Sequence, residues 1–229
     1  MPGYYLHLAA CAEHCLKNRS FVLGVETPDI LKKHLKIYGN VEGARSKYET
    51  LRTRDMPDYH ELQHRVRQKE RRGSTDGLHY GVSSSPDIKA FWNGLSNQQK
   101  NNPFYRGYAW HLLTDAIIYG RLNIDAKFKK FLEPYQGVPN IMELKKCEAK
   151  KILHTDWDKT NARVRDTYPN VYLTEEVKEL GVVQFITEGK LVFVDWMIIK
   201  DTIDYLRTFE PLNGDMDSII EIVMNSIKI

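Results

Sequence analysis

The chain has 229 residues, of which 42% are apolar and 28% are charged, as is ordinary for a soluble globular protein. Its formal net charge of +3 is too small to indicate nucleic-acid binding by itself. The longest apolar runs fall far short of the roughly 18 residues that a membrane-spanning helix needs. The length allows one large domain, or a domain with a small appendage.

The N-terminal segment and the cysteines both bear on cellular location. The segment MPGYYLHLAACAEHCLKNRS has no basic leader and carries His7, Glu13 and His14 where a signal peptide would be apolar. Three cysteines, an odd number, favour reduced thiols over a disulfide framework. We therefore expect a cytoplasmic protein.

Apolar spacing predicts a mainly helical chain. The first predicted helix covers residues 4–17, and the second begins at Pro28, with Thr27 as its capping residue. Residues 52–77 form the most polar stretch, part surface helix and part loop. The full set of predicted helices is 4–17, 28–38, 42–51, 84–94, a short one starting at Ser96, 104–119, 124–133, 140–167, 195–208 and 215–227.

The period of the pattern changes after Gly181. The apolar runs at 182–186 and 191–194 flank Thr187-Glu188-Gly189-Lys190, which predicts a β-hairpin over 182–194. We expect a helical body at 1–175, onto which the hairpin and two last helices of 176–229 pack, so that the whole forms one domain.

One short motif suggests a metalloprotease. Residues 60–64 read HELQH, which matches the H-E-x-x-H signature of two zinc ligands and a general base. On a helix, however, Tyr59, Leu62 and Val66 form the apolar stripe, and the two histidines point away from it beside arginines. An exposed amphipathic helix is therefore the favoured interpretation.

The helix at YRGYAWHLLTDAIIYG, residues 105–120, is a better candidate. His111 and Asp115 lie four residues apart, so they share a face of a helix that is apolar all round and should be buried. Burying an ionised Asp without compensation would cost several kcal/mol. A His–Asp hydrogen bond, a partner cation or a metal ion could each provide that compensation.

Other residues favour the metal. His7 lies in the apolar first helix, Asp29 follows Pro28 in a first helical turn, and His79 follows a Thr-Asp-Gly-Leu turn. A set of histidines and aspartates suits Zn²⁺, and also Mn²⁺ or Fe.

At these residues the sequence resembles the zinc-dependent phospholipase C family, whose fold is shared with the S1/P1-type nucleases. The carrying motifs are His7 in MPGYYLH, Asp29 in GVETPDIL, His79 in DGLHYG, and the His111–Asp115 pair in WHLLTD. The order is that of the family's dispersed metal ligands, over roughly residues 1–160. The opening segments resemble small bacterial members more than secreted toxins.

The resemblance implies an all-helical fold, one or two zinc ions and hydrolysis of a phosphoester, with a small anionic molecule or lipid headgroup as substrate. It implies that His7, Asp29, His79, His111 and Asp115 are ligands, with Asp29 also the catalytic base. His154 and Asp158 are a candidate analogue of the family's last His–Glu pair. Arginines at 65–72 could flank the cleft, although a solvated helix face is the favoured interpretation.

The sequence also departs from the family. Arg121 stands where the secreted enzymes have a further histidine, and Asp158 replaces a glutamate. These differences favour a one- or two-metal site over a three-zinc site.

Two of three alternatives stay open, and the second of the three lacks its required motif. The chain could be a non-catalytic helical scaffold that retains the fold. An HD-type phosphohydrolase needs an adjacent His-Asp pair, which none of the eight histidines provides. Metal or redox sensing could use His7, Cys11, His14 and Cys15, which are crowded in one segment.

Overall fold

The computed structural model is mainly helical, as the sequence predicts. It describes residues 4–38, 46, 49–50, 52, 56–59, 80–82, 85–171 and 185–227. The α-helices are α1 (Tyr4–Ala9), α2 (Arg19–Tyr38), α3 (Ile88–Asn93), α4 (Asn97–Lys100), α5 (Pro103–Leu122), α6 (Ile124–Leu132), α7 (Pro139–Thr167), α8 (Trp196–Leu206) and α9 (Met216–Ser226), with 3-10 turns at Cys15–Lys17 and Glu133–Tyr135. Strands β1 (Gly81–Val82) and β2 (Ser85–Pro86) form a short antiparallel pair.

Helix α5 is the centre of the molecule. Every residue from Phe104 to Tyr119 is buried, and α1, α2, α3, α8 and α9 all pack against this helix. Asn102 caps its start by accepting a hydrogen bond from the Phe104 N–H at 2.9 Å, and Pro103 occupies its first turn. The predicted buried helix is therefore confirmed.

The closest helix contact in this core is the crossing of α2 and α5. A Cβ added to Gly24 would overlap the carbonyl oxygen of Phe104, and one added to Gly107 would overlap that of Phe21. Glycine at both positions lets the two backbones touch. We call Gly24, Gly107 and their partner carbonyls the α2–α5 crossing.

The first two predicted helices have different bounds. The helix predicted at 4–17 ends at Ala9, and a 3-10 turn follows at Cys15–Lys17. Helix α2 begins at Arg19, with the Asn18 side chain accepting from the Phe21 N–H at 3.0 Å. Pro28 therefore lies inside α2. The free energy gained by burying residues 21–29 exceeds the cost of the one backbone hydrogen bond that Pro28 removes.

Thr27 is not a cap in this structure. Its hydroxyl donates to the Leu23 carbonyl at 2.6 Å, one turn back along the same helix. A Thr-Pro pair is therefore ambiguous in sequence, because it suits a helix start and also a helix interior that packing holds in place.

The predicted hairpin is wrong over its described part. Residues 185–194 contain no strand, and residues 182–184 lie outside the described residues. The chain does bend at Gly189, where φ is +93°. The N–H groups of Val192, Phe193 and Val194 then all donate to one carboxylate oxygen of Asp156, at 2.9, 2.6 and 3.2 Å. Three successive N–H groups that converge on one acceptor cannot form a strand ladder.

The other helices agree with their predictions within one to three residues at each end, with one exception. The helix predicted at 84–94 starts at Ile88, where Asp87 rather than Ser84 supplies the N-cap. Ser96 starts α4 as predicted and forms a reciprocal capping box with Gln99. Of the helix predicted at 42–51, only residues 46, 49 and 50 are described, and they are helical.

The last two helices pack against α5 and are tied to the body by polar contacts. Buried Arg106 donates to the carbonyls of Pro211, at 2.8 Å, and Gly214, while Trp92 Nε1 donates to Asp217 Oδ1 at 2.9 Å.

The predicted division of the chain at residue 175 stays a prediction. Within the described part of the chain, no helix has the length and apolar character needed to cross a membrane.

Candidate metal centre

Three of the sequence-predicted ligands meet in the core. His7 from α1 lies beside His111 and Asp115 from α5, and their ligand atoms all fall within 4.8 Å of one another. The relative exposures of these residues are 1%, 0% and 0%. We call these three residues the buried centre. The sequence predicted the His111–Asp115 spacing, and the packing of α1 on α5 adds His7.

The His111 ring is fixed in one tautomer. Its Nδ1–H donates to the Val25 carbonyl at 2.7 Å. A carbonyl oxygen can only accept, so Nδ1 must carry the hydrogen, and Nε2 of the neutral ring then presents a lone pair. This is how proteins commonly orient a metal-binding histidine.

That lone pair faces a carboxylate. His111 Nε2 lies 3.6 Å from Asp115 Oδ2, and His7 Nε2 lies 3.4 Å from Asp115 Oδ1. A lone pair and a carboxylate oxygen repel each other unless a positive charge lies between them. A proton on the ring or a metal ion can supply that charge.

The distances favour the metal. Side-chain hydrogen bonds from nitrogen to oxygen are commonly 2.7–3.2 Å long. Two ligands on a tetrahedral zinc ion lie about 3.3 Å apart, from the usual zinc–nitrogen and zinc–oxygen distances. The separations in the buried centre are close to this second value. The two imidazole rings also stack, with centroids 3.9 Å apart.

Asp29 is a further buried acid, outside the compact group of three. It is 2% exposed and lies on α2. Burial chiefly, followed by the charges of Asp115 and Asp29, raises the pKa of the Tyr119 phenol well above its ordinary value. Both carboxylates therefore act on the same phenol. The compact group of three does not include Asp29, so its role as ligand and base stays a prediction.

Glu26 is a buried acid that is not among the predicted ligands or catalytic residues. It is 1% exposed and lies three residues before Asp29, on α2. The available signal was an acidic residue at the end of the apolar run from Phe21 to Val25. The prediction that a helix starts at Pro28 hid this signal, because it placed Glu26 in a loop.

The remaining predicted site residues are apart from the buried centre or outside the described residues. His154 is exposed on α7 and Asp158 is partly exposed, and within the described chain neither joins the compact group. Their role as ligands stays a prediction. His79, the HELQH motif at 60–64 and the arginines at 65–72 lie outside the described residues.

The crowded histidines and cysteines of the N-terminal segment separate in space. His7 belongs to the buried centre, whereas His14 is exposed and pairs with Glu210. Burial raises the pKa of Cys11 well above its ordinary value, and burial together with Glu210 raises that of Cys15 to about 12. Redox-sensing thiols need a low pKa. Both shifts therefore disfavour redox sensing.

Comparisons of this chain with models of protein families, with curated proteins and with solved structures found no match. The chemical interpretation of the centre therefore depends on its own geometry and on the motifs in the sequence.

Proposed function

We propose that this chain holds a divalent metal ion at the buried centre and acts as a metal-dependent phosphoester hydrolase of the phospholipase C type. One observation carries the proposal. The tautomer-fixed Nε2 of His111 and the Nε2 of His7 both face Asp115 at the separation of ligands on a common ion.

The donor set fits the ion that the resemblance implies. Two imidazoles and one carboxylate suit Zn²⁺ first, and also Mn²⁺ or Fe. Three protein ligands are also the usual number in catalytic zinc sites, which keep one position open. When bound, such an ion supplies positive charge that acidifies water and stabilises the oxygens of a phosphoryl group.

The chain's own residues have separate tasks in this proposal. The Val25 carbonyl orients His111, and Asp115 neutralises charge between the two imidazoles. Asp29, which is buried on α2, accepts the proton of the attacking water. The substrate is a small anionic phosphoester or a lipid headgroup, and the location is cytoplasmic, in keeping with the free thiols of Cys11, Cys15 and Cys147.

The second candidate is a non-catalytic helical scaffold. Burial favours it, because the three residues of the centre are almost completely inaccessible in the described structure. A scaffold could hold the same ion as a structural clamp between α1 and α5, without admitting a substrate.

The test is elemental analysis of untagged protein, followed by hydrolysis of bis(4-nitrophenyl) phosphate. The variants are His111→Ala and Asp115→Asn, and the matched control is Asp166→Asn on the exposed face of α7. We expect wild type and the control to carry zinc, manganese or iron and to hydrolyse the phosphodiester. Each centre variant should lose one ion per chain and the activity.

The outcomes separate the two candidates. Metal that depends on His111 and Asp115, without hydrolysis of any phosphoester tested, would establish the scaffold. If wild-type protein takes up none of the three ions even after incubation with each, the metal centre itself is refuted, and with it the hydrolase. Circular dichroism of each variant shows whether a loss of metal reflects a loss of fold.

A further inference from the structure

A second group of metal-ligand side chains lies at the surface, away from the core. His14 and Cys15 belong to the turn between α1 and α2, and Glu210 lies in the loop between α8 and α9. Their ligand atoms also fall within 4.8 Å of one another. We call these three residues the surface cluster. It joins two segments that are 195 residues apart in sequence.

The distances in this cluster match a sulfur-containing metal site. Cys15 Sγ lies 3.5 Å from His14 Nε2 and 3.8 Å from Glu210 Oε1. Sulfur and nitrogen on one tetrahedral zinc ion are about 3.5 Å apart, from the usual zinc–sulfur and zinc–nitrogen distances. His14 Nε2 also contacts Glu210 Oε2 directly, so this ion pair has to open before both side chains can bind one ion.

Neighbouring groups hold the Glu210 carboxylate in place. Its Oε1 accepts from the backbone N–H of Asn213 at 3.2 Å and from the Asn213 side chain at 3.4 Å. Arg106 fixes the same loop through the carbonyls of Pro211 and Gly214. Such outer contacts orient ligands in known metal sites and raise their affinity.

The opposite side of the cluster is also anchored. Arg207 donates to the Ala9 carbonyl at 3.1 Å and to Glu13 Oε1 at 3.4 Å, so the segment before His14 is tied to the end of α8. The two halves of the cluster are thus held together by contacts that do not involve its ligand atoms. Because the three side chains are already close together, the main rearrangement on binding an ion is the opening of the His14–Glu210 pair.

We propose that His14, Cys15 and Glu210 form a second metal site, which takes a thiophilic divalent cation such as Zn²⁺ and is independent of the buried centre. The side chains of His14 and Glu210 are 52% and 37% exposed, whereas Cys15 is buried, so the ion enters from solvent onto a buried sulfur. Three protein ligands leave the fourth position to water.

The binding step is a proton exchange without redox chemistry. The Cys15 thiol gives up its proton to solvent, and the sulfur forms its bond to the cation in the same step. The ion then connects the turn before α2 to the loop before α9. The site therefore clamps the N-terminal and C-terminal parts of the fold.

Cobalt binding tests this proposal and separates it from the proposed function. Cobalt(II) bound to a thiolate gives a near-ultraviolet charge-transfer absorption, which a site of histidine and aspartate alone cannot give. Untagged, metal-free wild-type protein should develop this band on addition of Co²⁺. His111→Ala should retain the band, because the buried centre contains no sulfur.

The variants assign the band to the cluster. Cys15→Ser should abolish it, and His14→Asn, a change at an exposed residue that leaves the core intact, should weaken Co²⁺ binding at least tenfold. The matched control is Cys147→Ser, which removes an exposed thiol on α7 and should leave the band unchanged. Circular dichroism checks the fold of each variant.

Two results would overturn the proposal. One is the absence of a band in wild type at a large excess of Co²⁺, which would leave His14 and Glu210 as a surface ion pair. The other is a band that survives Cys15→Ser and disappears in Cys147→Ser. Neither result bears on metal at the buried centre, which is measured through His111→Ala and Asp115→Asn.

Discussion

Helix α2 and the C-terminal segments are held in place by different kinds of contact. On the α2 side, the α2–α5 crossing brings backbone against backbone at Gly24 and Gly107. On the C-terminal side, polar side chains bind backbone groups: Asp156 on α7 accepts three N–H groups, and Arg106 on α5 donates to two loop carbonyls. The first contact is steric and the second is electrostatic.

The buried centre depends on the steric side. His111 reaches the Val25 carbonyl because α2 approaches α5 closely: Val25 follows Gly24 directly, and His111 lies one turn after Gly107. A backbone contact has no room for an added Cβ, whereas a carboxylate acceptor can be replaced by a neutral acceptor that keeps part of the interaction. We therefore expect a substitution at the α2–α5 crossing to cause a large loss of stability, and substitutions at the polar contacts to cause smaller, graded losses.

The largest effect is expected from Gly107→Ala. The new Cβ would overlap the Phe21 backbone carbonyl, which cannot rotate away, so we expect a loss of about 3 kcal/mol or more in the free energy of unfolding. The matched control is Gly120→Ala on the same helix, where the added atom meets the Ile227 side chain. That control should lie within about 1 kcal/mol of wild type, because alanine also favours the helix. Urea denaturation measures both.

The same variants test the dependence of the buried centre on the crossing. If Gly107→Ala still folds, its displaced His111 should bind metal more weakly than in Gly120→Ala. Equal stability of the two variants would show that the crossing can open at little cost and that the steric description is wrong.

A smaller effect is expected from Asp156→Ala. It leaves the N–H groups of Val192, Phe193 and Val194 without their acceptor, two of them at buried residues, and should cost about 3 kcal/mol. Asp156→Asn keeps a side-chain oxygen and should lose about half as much. Hydrogen exchange at 192–194 should increase in both variants.

Its control is Asp166→Ala on the same helix. Asp166 forms an exposed ion pair with Arg165, which should contribute less than about 1 kcal/mol. If Asp156→Ala were no more destabilising than this control, the 192–194 segment would be held by its apolar contacts instead.

The smallest effect is a pH dependence at the start of α9. The Ser218 hydroxyl and backbone N–H, with the N–H of Asp217 and the charge of Arg106, hold the pKa of the Asp215 carboxyl below its usual value. The unfolded carboxyl titrates near 3.9, so the stabilisation is complete above about pH 4–5 and is lost as the pH falls through the lower folded pKa.

Asp215→Asn isolates this charge, because asparagine can still cap the helix. The difference in melting temperature between wild type and variant should be greatest near neutral pH and should close as the pH approaches 2. A difference that stays constant over this range would mean that the charge of Asp215 contributes nothing to the cap.

Local patterns identified the parts of the fold and site that lie within one helix. The run from Phe104 to Tyr119 could be recognised as a buried helix because it is apolar on every face, and His111 and Asp115 because their spacing puts them on one face. Helix bounds were predicted well where a cap residue marks them, as at Ser96.

Local patterns failed where a distant group decides the conformation. Thr27-Pro28 suggested a helix start, but burial against α5 extends α2 through it. The residues at 191–194 have the composition of a strand, but the Asp156 carboxylate draws their N–H groups to one point.

The sequence by itself determined the helical class, the central helix and the His111–Asp115 pair, because these follow from periodicities of a few residues. The resemblance had added His7 to that pair, and the structure places it there. The packing of the whole chain was needed to show that Val25 fixes the His111 tautomer and that Glu210 meets Cys15, because these contacts join residues 86 and 195 positions apart and no local pattern reports them.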